Sequence, residues 1–222
     1  MLTRYAHRLN AVEINSSFYR LHRPETYARW ASITPPEFRF AVKLPRAITH
    51  FSALRDFETL LRFHEGTLAL GEKLGVWLVQ LPPKLVFEAE SVRSFFERVR
   101  RLYEGPVVCE PRHPSWFTAA AESLLHSLRI GRVAAHPAPH PQGEEPAAWQ
   151  EIAYYRLHGA PHRYVSAYPP EFLSALAERI RSHPTAGEVW ILFNNTAAGA
   201  AVENALQMQR LLSEAGEQNP SA

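Results

Sequence analysis

The sequence predicts an α/β protein built as a TIM-like (β/α) barrel. Three observations carry that expectation. Short apolar runs rich in β-branched residues recur along the chain, most of them nearly continuous, as expected for parallel strands covered on both faces. Amphipathic helical patterns separate these runs. Polar and charged residues gather just after each run and are sparse within it, the distribution expected where chemistry sits beyond the carboxyl ends of parallel strands. About seven such runs in 222 residues favour a barrel over a doubly wound open sheet. No Gly-x-Gly-x-x-Gly or Walker A loop is present, so neither nucleotide-binding device is expected.

The first run, Ala11–Asn15, carries Glu13 and Asn15, and a short helix is expected over Glu25–Ser32. The second run, Phe38–Leu44, ends near Lys43 and leads to Arg46 and His50, before a helical pattern over Asp56–Glu72. The third, Val76–Leu81, includes Gln80 and stops at Pro82-Pro83. Val92, Phe95, Phe96, Val99 and Leu102 then keep the helical period until Gly105-Pro106 ends it. The fourth run, Val107–Glu110, is followed by Arg112, His113 and Trp116, and by an apolar stripe from Phe117 to Leu128. The fifth, Arg132–Ala135, ends at His136, and the Pro- and His-rich stretch His136–Trp149 reads as an exposed loop. The sixth, Ala153–His158, contains Arg156. A helix with Phe172, Leu173, Leu176, Ala177 and Ile180 follows, opened by Pro169-Pro170 and closed before Pro184. The seventh run, Val189–Phe193, leads into Asn194-Asn195 and a last helix with Val202, Ala205, Leu206 and Leu212. Residues 213–222 read as a frayed tail, and residues 1–222 as one domain.

Composition narrows the function classes. With 46% hydrophobic and 21% charged residues, the chain can bury a sizeable core and is not mainly disordered. No stretch approaches the ~20 apolar residues that span a bilayer, and the first ten residues lack the apolar centre of a signal peptide. A soluble cytoplasmic protein with no membrane partner is therefore expected. The single cysteine, Cys109, lies within an apolar run, so it supports neither an internal disulfide nor a thiolate metal cluster. A net charge of +2 gives no reason to expect nucleic acid as a partner. No Gly-x-Ser-x-Gly elbow points to a serine nucleophile.

Alternation along a strand puts residues i and i+2 on one side. Glu13 therefore goes with Asn15, Glu110 with Arg112, and Arg156 with His158. Glu13, Glu110 and His158 are the candidate catalytic residues, since each can move a proton. Asn15, Lys43, Arg46, Arg112, His113, Trp116, Arg156, Asn194 and Asn195 are the candidate substrate-binding residues, and the cations among them suit phosphate or carboxylate oxygens. Structural readings stand beside these. Glu110 and Arg112 also read as a bracing ion pair, His158 as a packing histidine, Asn194-Asn195 as a helix cap, Trp116 as a core aromatic, and His113 as a turn residue. Glu13, Glu110, His136 and His158 offer donors to a divalent metal, although no metal-ligand spacing is present. The resulting expectation is a barrel that binds or transforms a small anionic molecule at its carboxyl-terminal mouth. A non-catalytic ligand-binding or scaffold barrel and a metal-dependent nuclease-like phosphodiester hydrolase are the other readings.

Six segments, Val12–Arg20, Phe38–Lys43, Gln80–Pro83, Glu110–Phe117, Tyr155–Gly159 and Phe193–Asn195, together resemble the bacterial and archaeal DUF72 (YecE-like) family over nearly the whole chain. The resemblance implies a TIM-like barrel and supplies no reaction. Two departures from the family pattern matter. Similar proteins open on a strand with a Gly-rich, Trp-containing turn, and this chain begins within the helix that would follow it. The first strand is thus expected to be lacking, which leaves an edge between Ala11–Asn15 and Val189–Phe193 through which an oligomer would form. Similar proteins also often end the fifth run in an acidic residue where His136 stands here.

Overall fold

A computed structural model of the protein describes residues 2–182 and 187–217. The chain opens with α1 (Leu2–Ala6), β1 (Ala11–Ile14), α2 (Pro24–Ser32), β2 (Arg39–Lys43), α3 (Phe57–Thr67), β3 (Leu74–Gln80), α4 (Ala89–Leu102) and β4 (Val107–Glu110). It continues with α5 (Ala119–Ser127), β5 (Ile130–Arg132), β6 (Ala134–His136), β7 (Ala147–Ala148), β8 (Ile152–Leu157), α6 (Pro170–Ser182), β9 (Glu188–Phe193) and α7 (Ala200–Glu217). Local chemistry starts several helices where the sequence places them. Asp56 accepts the Thr59 N–H at 2.9 Å to open α3, Thr118 accepts the Ala121 N–H at 3.3 Å to open α5, and Pro24 and Pro170 begin α2 and α6. Among the described residues, no helix is long and apolar enough to cross a membrane.

Two sheets result, one ordered β1-β2-β3-β4-β5-β7 and one ordered β6-β8-β9. Every pairing is parallel except β5 with β7. Residues 130–136 link the sheets, giving β5 to the first and β6 to the second, and Val133 between them still donates to the Cys109 carbonyl at 2.9 Å. The strands thus form an α/β fold consistent with a TIM-like arrangement, and among the described residues the circuit is open at the edge expected between the first and last runs. β1 and β9 each pair on one side only, and a cleft of about 750 Å³ separates them, lined also by Met208 and Leu212 of α7. The physical reason is that neither edge meets a second row of backbone partners. Val189, at the start of β9, stays 39% exposed.

Strand parity divides the core. Ala41, Val76, Leu78, Val108, Val133, Ile152, Tyr154, Trp190 and Leu192 pack on one another between the sheets, whereas Phe40, Val42, Trp77, Val79 and Cys109 face the helices. Glu13, Lys43, Gln80, Glu110 and Arg156 continue the inner parity toward the carboxyl ends of their strands. At the other end Trp190 crosses to β3, where a Cβ at Gly75 would lie 2.5 Å from its ring.

Three expectations are corrected. His136–Trp149 is not simply an exposed loop. It forms a helical turn at Pro141–Glu144 and strand β7, with Gly143 buried, because Arg132 Nη1 donates to the Gln142 carbonyl at 2.7 Å and β5 offers β7 an edge. The tail expected from residue 213 is helical to Glu217, since the backbone ladder of α7 propagates past the last apolar position. Residues 218–222 and Pro184 lie outside the described residues. The Asp56–Glu72 pattern ends as α-helix at Thr67 and tightens into a further turn, Leu68–Lys73, where Gly71 takes φ +56°.

Gly75→Ala is expected to cost about 1–3 kcal/mol by overpacking against Trp190, read as a lower urea midpoint; an unchanged midpoint would mean that the indole yields freely. Amides of β1 and β9 are expected to exchange faster than those of β3, because each outer strand has one open edge. Equal protection of all three strands in a hydrogen-exchange experiment would show that the seam is covered.

Candidate functional site

The site grows from one arginine. Arg156 sits on β8 in the three-stranded sheet, and its guanidinium reaches two carboxylates of the six-stranded sheet. Nε donates to Glu13 Oε2 at 2.9 Å and Nη2 to Glu13 Oε1 at 2.6 Å, a bidentate pair. Nη1 donates to Glu110 Oε2. Tyr154, two residues earlier on the same face, donates its hydroxyl to Glu13 Oε2 at 2.9 Å. Arg112 closes the other end, with Nε and Nη2 donating to Glu110 Oε1 at 3.0 and 2.8 Å. The side chains of Arg156, Glu13 and Glu110 are 4%, 3% and 2% exposed, and that of Arg112 is 21% exposed. Buried charges are tolerated only with partners of this kind. Burial by itself would raise the Glu110 carboxyl, but Arg156 and Arg112 outweigh it and hold the group down at about 2. Burial opposes ionisation of Glu13 too, and Arg156, aided by hydrogen bonds from Tyr154 and Asn15, keeps its carboxyl low.

Cations and imidazoles surround this lattice. Ser17 Oγ lies 2.8 and 2.6 Å from the carbonyl oxygens of Ile14 and Lys43, which share its one donor, so the ends of β1 and β2 are held side by side. The Lys43 ammonium stands 3.9 Å from the Phe18 ring centroid and forms no salt bridge among the described residues. Burial, joined by the Arg156 charge, lowers it to about 8. His158 is buried, and neither ring nitrogen has a hydrogen-bond partner among the described residues. Burial, with Arg156 beside it, pushes this imidazole down to about 4. His50 is lowered by burial first and then by Lys43, Arg112 and Arg46, so these cations share one region of the mouth.

The structure brings Glu13, Lys43, Glu110, Arg112, Arg156 and His158 into one cluster. Asn15 hydrogen-bonds Glu13, and both Asn15 and Asn194 line the β1/β9 cleft; the Nδ2 of Asn194 is buried without a partner among the described residues. Arg46 lies on the exposed rim. Three candidates are engaged within the fold. His113 turns back to accept the Ser115 N–H at 3.2 Å and starts the turn at Pro114–Trp116. Trp116 is fully buried, with its indole N–H on the Leu85 carbonyl at 2.8 Å. Asn195 donates to Ser166 O at 3.0 Å and Asn204 Oδ1 at 2.9 Å, a tie between β9 and α7 rather than a mouth contact. His136 faces Tyr168, whose hydroxyl lies 2.9 Å from its Nδ1, so it does not join Glu13, Glu110 and His158. Among the described residues no three His, Cys, Asp or Glu side chains gather as a metal cage, and the two buried glutamates are engaged by arginines. Tyr154 is the main residue that the site-by-site reading misses, although its position two residues before Arg156 marks it.

Comparison with known proteins agrees with this architecture. UPF0759 protein YecE of Escherichia coli is 32% identical over 139 residues, which cover 60% of this chain and 50% of YecE, so the match spans about half that relative's length. UPF0759 protein YunF of Bacillus subtilis is 23% identical across 95% of this chain and 86% of its own. A crystal structure of a DUF72 family protein from Enterococcus faecalis superposes with a TM-score of 0.81 at 25% identity, covering 96% of this chain and 93% of that one. One from Thermotoga maritima gives 0.77 at 26% identity, covering 92% and 85%. The family described as "Protein of unknown function DUF72" matches residues 1–222, and the chain belongs to that family.

Proposed function

We propose that the protein binds a small anion, bearing phosphate or carboxylate oxygens, at the carboxyl-terminal mouth of its parallel strands. Lys43 and Arg112 are the contacting cations in this reading, and the His158 imidazole, buried and without a hydrogen-bond partner among the described residues, lies beside them. The observation that carries it is Lys43: a mostly buried ammonium with no carboxylate partner among the described residues, beside Arg112 and Arg46. A cation held in low dielectric interacts strongly with an incoming anion. The lattice supports the same reading by fixing Arg112 through two hydrogen bonds, so little side-chain entropy is lost on binding.

The lattice also bears on chemistry. A carboxyl held near 2 is ionised at neutral pH and has no proton to donate, and Glu13 and Glu110 would each have to release an arginine to act as bases. We therefore assign these two glutamates to setting the field and leave His158 as the proton-transfer candidate. The saturated carboxylates favour, as a second reading, a binding barrel without catalysis. Neither their engagement nor the donor arrangement supports phosphodiester hydrolysis on a metal.

Sulfate, whose charge is constant near neutrality, is expected to bind with an affinity that falls as pH rises through about 8, where Lys43 loses its proton. Calorimetric titration should show that dependence flattened and binding weakened in Lys43→Gln; sulfate binding indifferent to both would sink the proposal. Arg156→Met is expected to destabilise the protein by about 3–5 kcal/mol at neutral pH, because two buried carboxylates lose their shared partner. The sign in acid follows from the lowered Glu110 carboxyl. Its contribution in the wild type is full above the ordinary value of 4.5 and is lost as pH falls toward about 2. Denaturation across that range should therefore show a smaller acid loss in the variant than in the wild type.

A further inference from the structure

The mouth carries more apolar surface than an inorganic anion would use. Phe51 and Tyr19 are 73% and 68% exposed, the two most exposed large hydrophobic side chains described, and they stand on different loops, one after β2 and one after β1. The Arg46 guanidinium is shared between them, 5.3 Å from the Phe51 centroid and 5.4 Å from the Tyr19 centroid. The stack continues inward. Tyr19 meets Phe18 edge-on at 5.1 Å, Phe18 meets His50 at 4.9 Å, and the Lys43 ammonium lies over the Phe18 ring at 3.9 Å. An exposed ring–guanidinium–ring face thus runs without interruption into the unpaired buried cation. Exposed aromatic surface that adjoins a polar site marks a ligand-contact area rather than random surface apolarity.

We infer that the ligand of this mouth is an anion carrying a planar apolar ring, its charged group at Lys43 and its ring against the Phe51–Arg46–Tyr19 face. The inference rests on the proposed anion site and adds the chemical class of what fills it. Each contribution has a physical cause. Aromatic rings pack offset or edge-on with quadrupole complementarity, and a guanidinium plane stacks on either face of a ring while keeping its charge solvated. Because Arg46 already lies beside both rings, little further side-chain order is lost when a ligand ring packs against the exposed Phe51 and Tyr19.

Phenyl phosphate and methyl phosphate carry the same headgroup and differ in the ring, so they separate the two readings. In calorimetric titrations at one pH, phenyl phosphate is expected to bind roughly three- to tenfold more tightly than methyl phosphate, the range that aromatic pairing supplies. Phe51→Ala and Tyr19→Ala should each shrink that ratio toward unity. Both side chains are exposed, and an unaltered urea midpoint will show that the variants are folded. Equal affinity for the two esters in the wild type, or a ratio that survives both substitutions, overturns the ring inference and leaves the anion site standing. If neither ester binds, the anion site fails and the ring inference with it.

Discussion

A single guanidinium carries the organisation of this molecule. The two sheets are continuous through residues 130–136 and are open to each other at the β1/β9 seam. Across the interior between these two places, Arg156 of one sheet grips Glu13 and Glu110 of the other. The energetics are finely opposed. Three charged groups withdrawn from water cost far more than a neutral core would, and only saturation by hydrogen bonds offsets that cost. Saturation is nearly complete here: Glu13 accepts from Arg156 and Tyr154, and Glu110 from Arg156 and Arg112. In the same arrangement cations outnumber carboxylates, with Arg156, Arg112, Lys43 and Arg46 set against Glu13 and Glu110.

The seam and the site are adjacent. Glu13 and Asn15 belong to both, since β1 is at once an open edge and the carrier of the lattice's first carboxylate. A strand hydrogen-bonded on one side is held mainly by its neighbour and by its side chains. The Arg156–Glu13 pair therefore anchors the end of β1 that matters for the cluster, while Ser17 fastens the following turn to β2. At the opposite end of the interior, Trp190 fills space against Gly75 and closes the floor with apolar contact instead of charge. Polar top and apolar floor follow from the same inner parity, read in two directions along the strands.

The histidines show how similar residues take different work from their surroundings. His113 and His140 each accept a backbone N–H two residues on and shape turns. His136 is tied to Tyr168. His158 alone among these is buried beside the lattice with neither nitrogen hydrogen-bonded among the described residues.

Much of this was legible in the chain itself. Apolar runs, helical periods, prolines and capping residues determined the order of the elements, and period-two alternation determined that Glu110 and Arg112, and Arg156 and His158, go together, because these are properties of a few consecutive residues. The family motifs likewise stand in the sequence, since they are short and ordered. What only the tertiary structure decided were relations between distant segments. Local pattern could not tell that one arginine would meet carboxylates 143 and 46 positions away, that Trp116 would find the Leu85 carbonyl and leave the mouth, or that Asn195 would turn to Asn204. Each depends on which donor meets which acceptor once the chain has folded back on itself, a pairing set by three-dimensional proximity and desolvation rather than by the neighbours of any residue along the sequence.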